Sequence, residues 1–129
     1  MLTLTEIFII LLIHWVADFV LQTDKQAKGK SKNWSDLINH TSNYSICWFL
    51  IVILFGVYNS GQTTFWYVTS TLCFVTTTFI CHTITDYFTS RLNSKLWAKG
   101  DTHNFFVSVG FDQILHYVQL FTTYWLLKN

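Results

Sequence analysis

The chain has no proline and little charge. Without proline, none of its helices is expected to carry a proline kink. Charged residues make up 12% of its 129 residues, where a soluble domain carries about 25%. Half the usual charge is missing, which argues against a surface built for water. Cysteine is scarce too: Cys47, Cys73 and Cys81 are odd in number, follow no framework spacing and lie in apolar segments. A disulfide scaffold is disfavoured, and burial is the expected role of each. No basic leader precedes the first apolar run and no small-residue cleavage site follows it, so that segment is expected to stay in the mature protein.

What the chain has in quantity is apolar sequence, 51% hydrophobic and 19% aromatic. Four stretches, at about 4–22, 36–58, 64–88 and 103–127, approach the roughly 20 residues needed to cross hydrocarbon. The expected architecture is all-α, a single four-helix transmembrane domain over residues 1–129. The third stretch is rich in Thr and β-branched residues, a strand composition in water. In lipid each backbone group must be satisfied within its own segment, so helix is expected there. The second helix should start near Trp34 or Ser35, Asn59-Ser60-Gly61 reads as a tight turn, and Gly100-Asp101 as a helix start.

Seven of the eight basic residues form two clusters, Lys25 to Lys32 and Arg91 to Lys99, each abutting an apolar run. By the positive-inside rule both basic connections lie in the cytoplasm and both termini outside an inner (cytoplasmic) membrane. Membrane lipid is the expected partner and nucleic acid is not; homo-oligomers are compatible with the reading.

Within these stretches the sequence repeats one pattern: His14-x-x-x-Asp18, His82-x-x-x-Asp86 and, reversed, Asp112-x-x-x-His116. Residues four apart on an α-helix share a face. A carboxylate at the bilayer centre costs on the order of 2.5–3.5 kcal/mol, so the pairs need a compensating role. At 1.5 Å per residue, His14, His82 and Asp112 all fall roughly 14–17 Å from the nearest basic-loop charges. His40 reaches a similar layer from the mouth of the second helix. Matched depth predicts that His14, Asp18, His82, Asp86, Asp112 and His116 face one interior metal site.

Imidazole with carboxylate suits a divalent metal, zinc first, with manganese or iron as alternatives. Six ligands exceed what one tetrahedral zinc with an open position needs, so two ions bridged by a carboxylate use them better. The chemistry expected is metal-dependent hydrolysis of a phosphate or ester in a lipid or amphipathic substrate. Activated water attacks, and Asp18 or His40 carries the proton. Gln22 and Gln113 are candidate donors to the ligands or to substrate. Lys25 and Arg91 flank the mouth, where they either attract a phosphate or meet lipid headgroups. Two other functions fit the same residues: a metal or proton transporter or channel, and a non-enzymatic membrane effector whose polar cluster only fixes packing. Phe49–Tyr58 and Thr64–Phe74 offer no charged residue for a path to the outer side, which favours the enzyme over transport.

His14-x-x-x-Asp18-Phe19-x-Leu21-Gln22, the lysine-rich loop, His40, His82-x-x-x-Asp86 with Ser90-Arg91-Leu92, and Phe111-Asp112-Gln113-x-Leu115-His116 together resemble domain-of-unknown-function family three-three-zero-seven. The resemblance covers nearly the whole chain. It implies a small polytopic membrane protein of bacteria or their phages, and an architecture rather than a particular reaction. More loosely, His and Asp in short membrane helices are similar to those of membrane-bound metal-dependent hydrolases.

Overall fold

A computed structural model describes residues 1–58 and 61–128. Among these residues there is helix and no strand. Helix α1 spans Leu4–Trp15 and continues into a wider turn over Val16–Val20; α2 is the short Asp24–Gly29. Helix α3, Trp34–Cys47, tightens over Trp48–Leu50 before α4, Ile51–Tyr58. The two longest are α5, Thr64–Ala98, and α6, Thr102–Lys128. Two helical stretches, Trp34–Gly56 and Thr64–Ala98, are long and apolar enough to cross a membrane.

Polar side chains start the helices. Thr3 and Thr23 form reciprocal caps with Glu6 and Gln26, each hydroxyl accepting from the backbone N–H three residues on. Asn33 caps α3 by accepting from the Asp36 N–H at 2.8 Å, and the helix starts at Trp34, as expected. Thr63 caps α5, and the Asp101 carboxylate accepts from the Asn104 N–H. Each satisfies a donor that the first helical turn leaves unpaired.

Two expectations change. The basic connection expected between the third and fourth stretches, with Arg91 to Lys99, is mostly helix, because α5 runs on to Ala98 and only Lys99–Asp101 turns. No glycine or proline interrupts that stretch before Gly100, whose φ of +72° makes the turn. Cys73 is exposed rather than buried, with Cys47 and Cys81 intermediate. Of the turn expected at Asn59-Ser60-Gly61, Asn59 and Ser60 lie outside the described residues.

The Thr-rich third segment is helical. The Thr83 hydroxyl donates to the carbonyl of Phe79 one turn back, which satisfies it inside the helix. The inward face of α5 is Ser70, Thr71, Phe74, Thr78, His82, Asp86 and Ser90, whereas Phe65, Leu72, Ile80, Ile84 and Phe88 are exposed. This polarity is the reverse of a water-soluble helix. Above the buried polar residues, Tyr44, Trp48, Phe55, Phe74 and Tyr124 pack into an aromatic core with Ile10 and Leu120. At the far end Tyr124 donates to buried Glu6 at 2.8 Å and Lys128 pairs with it, tying α6 to α1.

Candidate metal centre

Four ligand-type side chains meet where α3 and α5 face the wide turn after α1. Asp18, His40, His82 and Asp86 are all buried, and one donor atom from each lies within 4.8 Å of the others. His40 Nε2 stands 3.1 Å from Asp18 Oδ1, 3.2 Å from Asp86 Oδ2 and 3.3 Å from His82 Nε2. His82 Nε2 is 3.6 Å from each of the same two carboxylate oxygens. Ligands at about 2.1 Å from a tetrahedral ion are separated by roughly 3.4 Å. These five separations scatter about that value, so the donor set has the size of a tetrahedral site.

A second group, Asp86, Asp112 and His116, adjoins the first. His116 Nε2 is 3.4 Å from Asp86 Oδ1 and 3.4 Å from Asp112 Oδ1, yet makes no hydrogen bond. Asp86 therefore turns Oδ2 to one group and Oδ1 to the other, the disposition of a bridging carboxylate. An orphaned imidazole nitrogen aimed between two carboxylates is what a cation between them would satisfy. The residues present fit one or two divalent ions.

The backbone widens at Asp18, and His14 lies one turn before it. Leu21 N–H donates to Val16 O at 2.9 Å, an i to i−5 bond that widens the helix. His14 Nε2 is 3.8 Å from Asp18 Oδ2, the longest of the three i,i+4 His–Asp separations. Both nitrogens of His14 are engaged elsewhere, Nε2 with Gln113 Oε1 at 2.8 Å and Nδ1 with the Tyr44 hydroxyl at 2.8 Å. The amide oxygen can only accept, so Nε2 carries the proton and Tyr44 donates to Nδ1. His14 is thus not a member of either ligand group, in contrast to the expected set, and His40 stands at the centre. The His82 ring is held by stacking on Tyr44 and on His116, at centroid distances of 3.8 and 4.2 Å. Its Nδ1 has no hydrogen-bond partner.

Lys30 also enters the site, which residue spacing gave no reason to expect. Its Nζ lies 2.8 Å from Asp86 Oδ2 and 3.3 Å from His40 Nε2. Gly29 makes the approach possible, because a Cβ there would fall 1.9 Å from Asp36 Oδ2. Burial pushes the Lys30 pKa down, but the carboxylates of Asp86 and Asp18 outweigh it and hold the ammonium above the ordinary lysine value. Three carboxylates against one ammonium leave an excess of two negative charges when the imidazoles are neutral.

The remaining site residues divide. Gln113 donates toward Asp18 Oδ2 at 3.4 Å and Asp112 Oδ2 at 3.2 Å, joining the two groups. Thr89 donates to Asp112 Oδ1 at 2.6 Å. Gln22 lines a cavity of about 850 Å³ beside the cluster, which Asp18, Lys30, Asp112 and Gln113 also line. Lys25 does not line it; its exposed side chain is 3.8 Å from Asp36 Oδ1. Nor does Arg91, which donates to the Tyr87 carbonyl and lies over the Tyr87 ring.

A family model described as a protein of unknown function (DUF3307) matches residues 7–129. The chain belongs to this family. No curated protein and no solved structure matches it. The match over residues 7–129 means that each ligand-type residue of the two groups lies within the DUF3307 region.

Proposed function

We propose that this DUF3307 protein is an integral membrane protein of four spans whose buried His/Asp centre binds one or two divalent ions and hydrolyses a phosphate or ester of a lipid. The observation that carries the reading is the donor set Asp18, His40, His82 and Asp86, of tetrahedral size, beside an 850 Å³ cavity. Ionisable groups turned inward and Phe, Leu and Ile turned outward support four spans, although only two helical stretches pass by length and composition. The basic residues at one end support an inner-membrane orientation with both termini outside.

A bound divalent ion would activate water and polarise a phosphoryl or acyl oxygen. The chain's own residues divide the remaining work. His40, His82 and Asp86 lie away from the cavity and serve as holding ligands. Asp18 and Asp112 line it, so they are the carboxylates able to receive a proton from water; of the two proton carriers considered from sequence, Asp18 has that access and His40 does not. Lys30, also in the cavity wall, offers an ammonium to a developing negative charge. The aromatic core above the cluster, with Trp48, Phe55, Phe74 and Tyr124 fully buried, favours a closed-ended site over a transport path. Zinc is the preferred ion, with manganese and iron to be compared. The test is hydrolysis of phosphate monoester, phosphate diester and carboxylic ester lipids by detergent-purified protein, depleted of metal and reloaded with each ion in turn. Activity restored by an ion and lost in Asp86→Asn supports the reading. Activity indifferent to chelation, or none with any ion, overturns it.

A further inference from the structure

The cavity beside the metal centre has two kinds of wall. One is polar and carries three orphans: Gln22 Oε1, Ser90 Oγ and Asn93 Oδ1 are buried and have no hydrogen-bond partner. Ser90 is only 7% exposed and belongs to the inward face of α5. Buried polar atoms are nearly always paired, and three on side chains that line one cavity call for a ligand that can pair with them. Amide oxygens only accept, so the ligand must bring donors, which hydroxyl groups supply. Lys28, Lys30 and Lys32 line the same cavity; Lys28 is shared with Asp24 at 3.8 Å, and Lys30 with Asp86. Such cations call for an anion, and phosphate is one that lysine ammonium groups bind.

The other wall is apolar. Phe19, Trp97, Phe105, Phe106 and Val109 line it, and Phe19 and Phe106 are 47% and 63% exposed. Residues that face both the cavity and the outside mark a sideways opening, which a free polar solute does not need and a hydrocarbon chain does. The volume, about 850 Å³, lies in the range of sites that enclose a drug-sized ligand, enough for a headgroup and the first carbons of a chain.

We propose that this cavity binds a lipid whose headgroup carries both a phosphate and free hydroxyls, a polyol or sugar phosphate. The phosphate sits at Lys28 and Lys32, the ammonium groups of the cavity that lie outside the carboxylate cluster. The hydroxyls pair with Gln22, Ser90 and Asn93, and the chain leaves past Phe19 and Phe106. The assignment rests on the hydrolase reading in that it names the substrate class of the same site; the binding itself depends only on the cavity.

The test is lipid retention by the detergent-purified full chain in native mass spectrometry, with bound metal measured on the same samples. The probes are phosphatidylglycerol, phosphatidic acid, phosphatidylcholine and free glycerol phosphate. The expected order is phosphatidylglycerol over phosphatidic acid by about threefold and over phosphatidylcholine by about tenfold, with free glycerol phosphate a weak competitor. Asn93→Leu, and independently Gln22→Leu in case the first variant folds poorly, should reduce phosphatidylglycerol retention to the phosphatidic acid level while metal content holds. Equal retention of phosphatidylglycerol and phosphatidic acid overturns the proposal, as does selectivity that survives both folded variants. So does stronger binding of free glycerol phosphate than of the lipid. Metal-loaded protein without lipid selectivity defeats this inference and leaves the hydrolase reading standing. Selective retention by protein that binds no metal upholds the lipid site and defeats the hydrolase reading.

Discussion

Replacing Lys30 with methionine keeps the length of the side chain and removes an ammonium 2.8 Å from Asp86 Oδ2, on a side chain 17% exposed. Breaking a buried ion pair by removing one partner costs about 3–5 kcal/mol. The remaining exposure and the nearby imidazoles put this case at the lower end, about 3 kcal/mol. At roughly 3–4 °C per kcal/mol for a domain of this size, metal-free Lys30→Met should melt about 10 °C below wild type. A bound divalent ion neutralises the same carboxylate, so with metal present the loss should shrink to about 1 kcal/mol, or roughly 3 °C. By reciprocity of linkage the variant then binds the ion more tightly by the difference, about 2 kcal/mol or roughly 30-fold. Thermal unfolding in detergent, with chelator and with saturating metal, measures both melting differences, and a metal titration measures the affinity. Equal destabilisation in the two conditions would mean that the ammonium and the ion do not share Asp86.

Gly29→Ala sets a methyl group against Asp36 and should cost about 1–3 kcal/mol as overpacking; an unchanged melting temperature would show that the loop does not need this close approach. Tyr44→Phe removes the hydroxyl 2.8 Å from His14 Nδ1 and leaves a buried acceptor unpaired, a loss of about 1–3 kcal/mol. Unaltered stability would mean that Tyr44 does not hold His14. For orientation, single cysteines at Gln62 and Lys95, in a background with Cys47, Cys73 and Cys81 replaced by Ser, should react with an impermeant probe from outside at Gln62 only. Labelling of Lys95→Cys from outside would invert the topology.

Much of the fold could be read from pattern, because long apolar stretches with basic connections leave helix as the economical solution. The boundary errors have local causes. Nothing between Ser90 and Ala98 stops a helix, so a charged segment expected as a connection continues α5. For the site, i,i+4 spacing on a straight helix brings together His82 with Asp86 and Asp112 with His116. The same rule sets His14 beside Asp18, but spacing along one helix does not encode that Gln113 and Tyr44, from other helices, engage both of its nitrogens. Lys30 was hidden for a different reason. Its role depends on Gly29 packing against Asp36 and on a loop folding back over α5, a tertiary event without a period. The orphaned atoms of Gln22, Ser90 and Asn93 likewise become visible only once a cavity has walls.

Binding of a divalent ion by Asp18, His40, His82 and Asp86 is measured by X-ray absorption on metal-reconstituted protein in detergent, with metal per chain counted on the same sample. The expected result is one or two ions per chain, nitrogen and oxygen neighbours at about 2.0–2.2 Å, and loss of that signal in folded His82→Ala and Asp86→Asn. A wild-type protein that stays metal-free under saturating zinc, manganese or iron would contradict it, as would a signal unchanged in both variants.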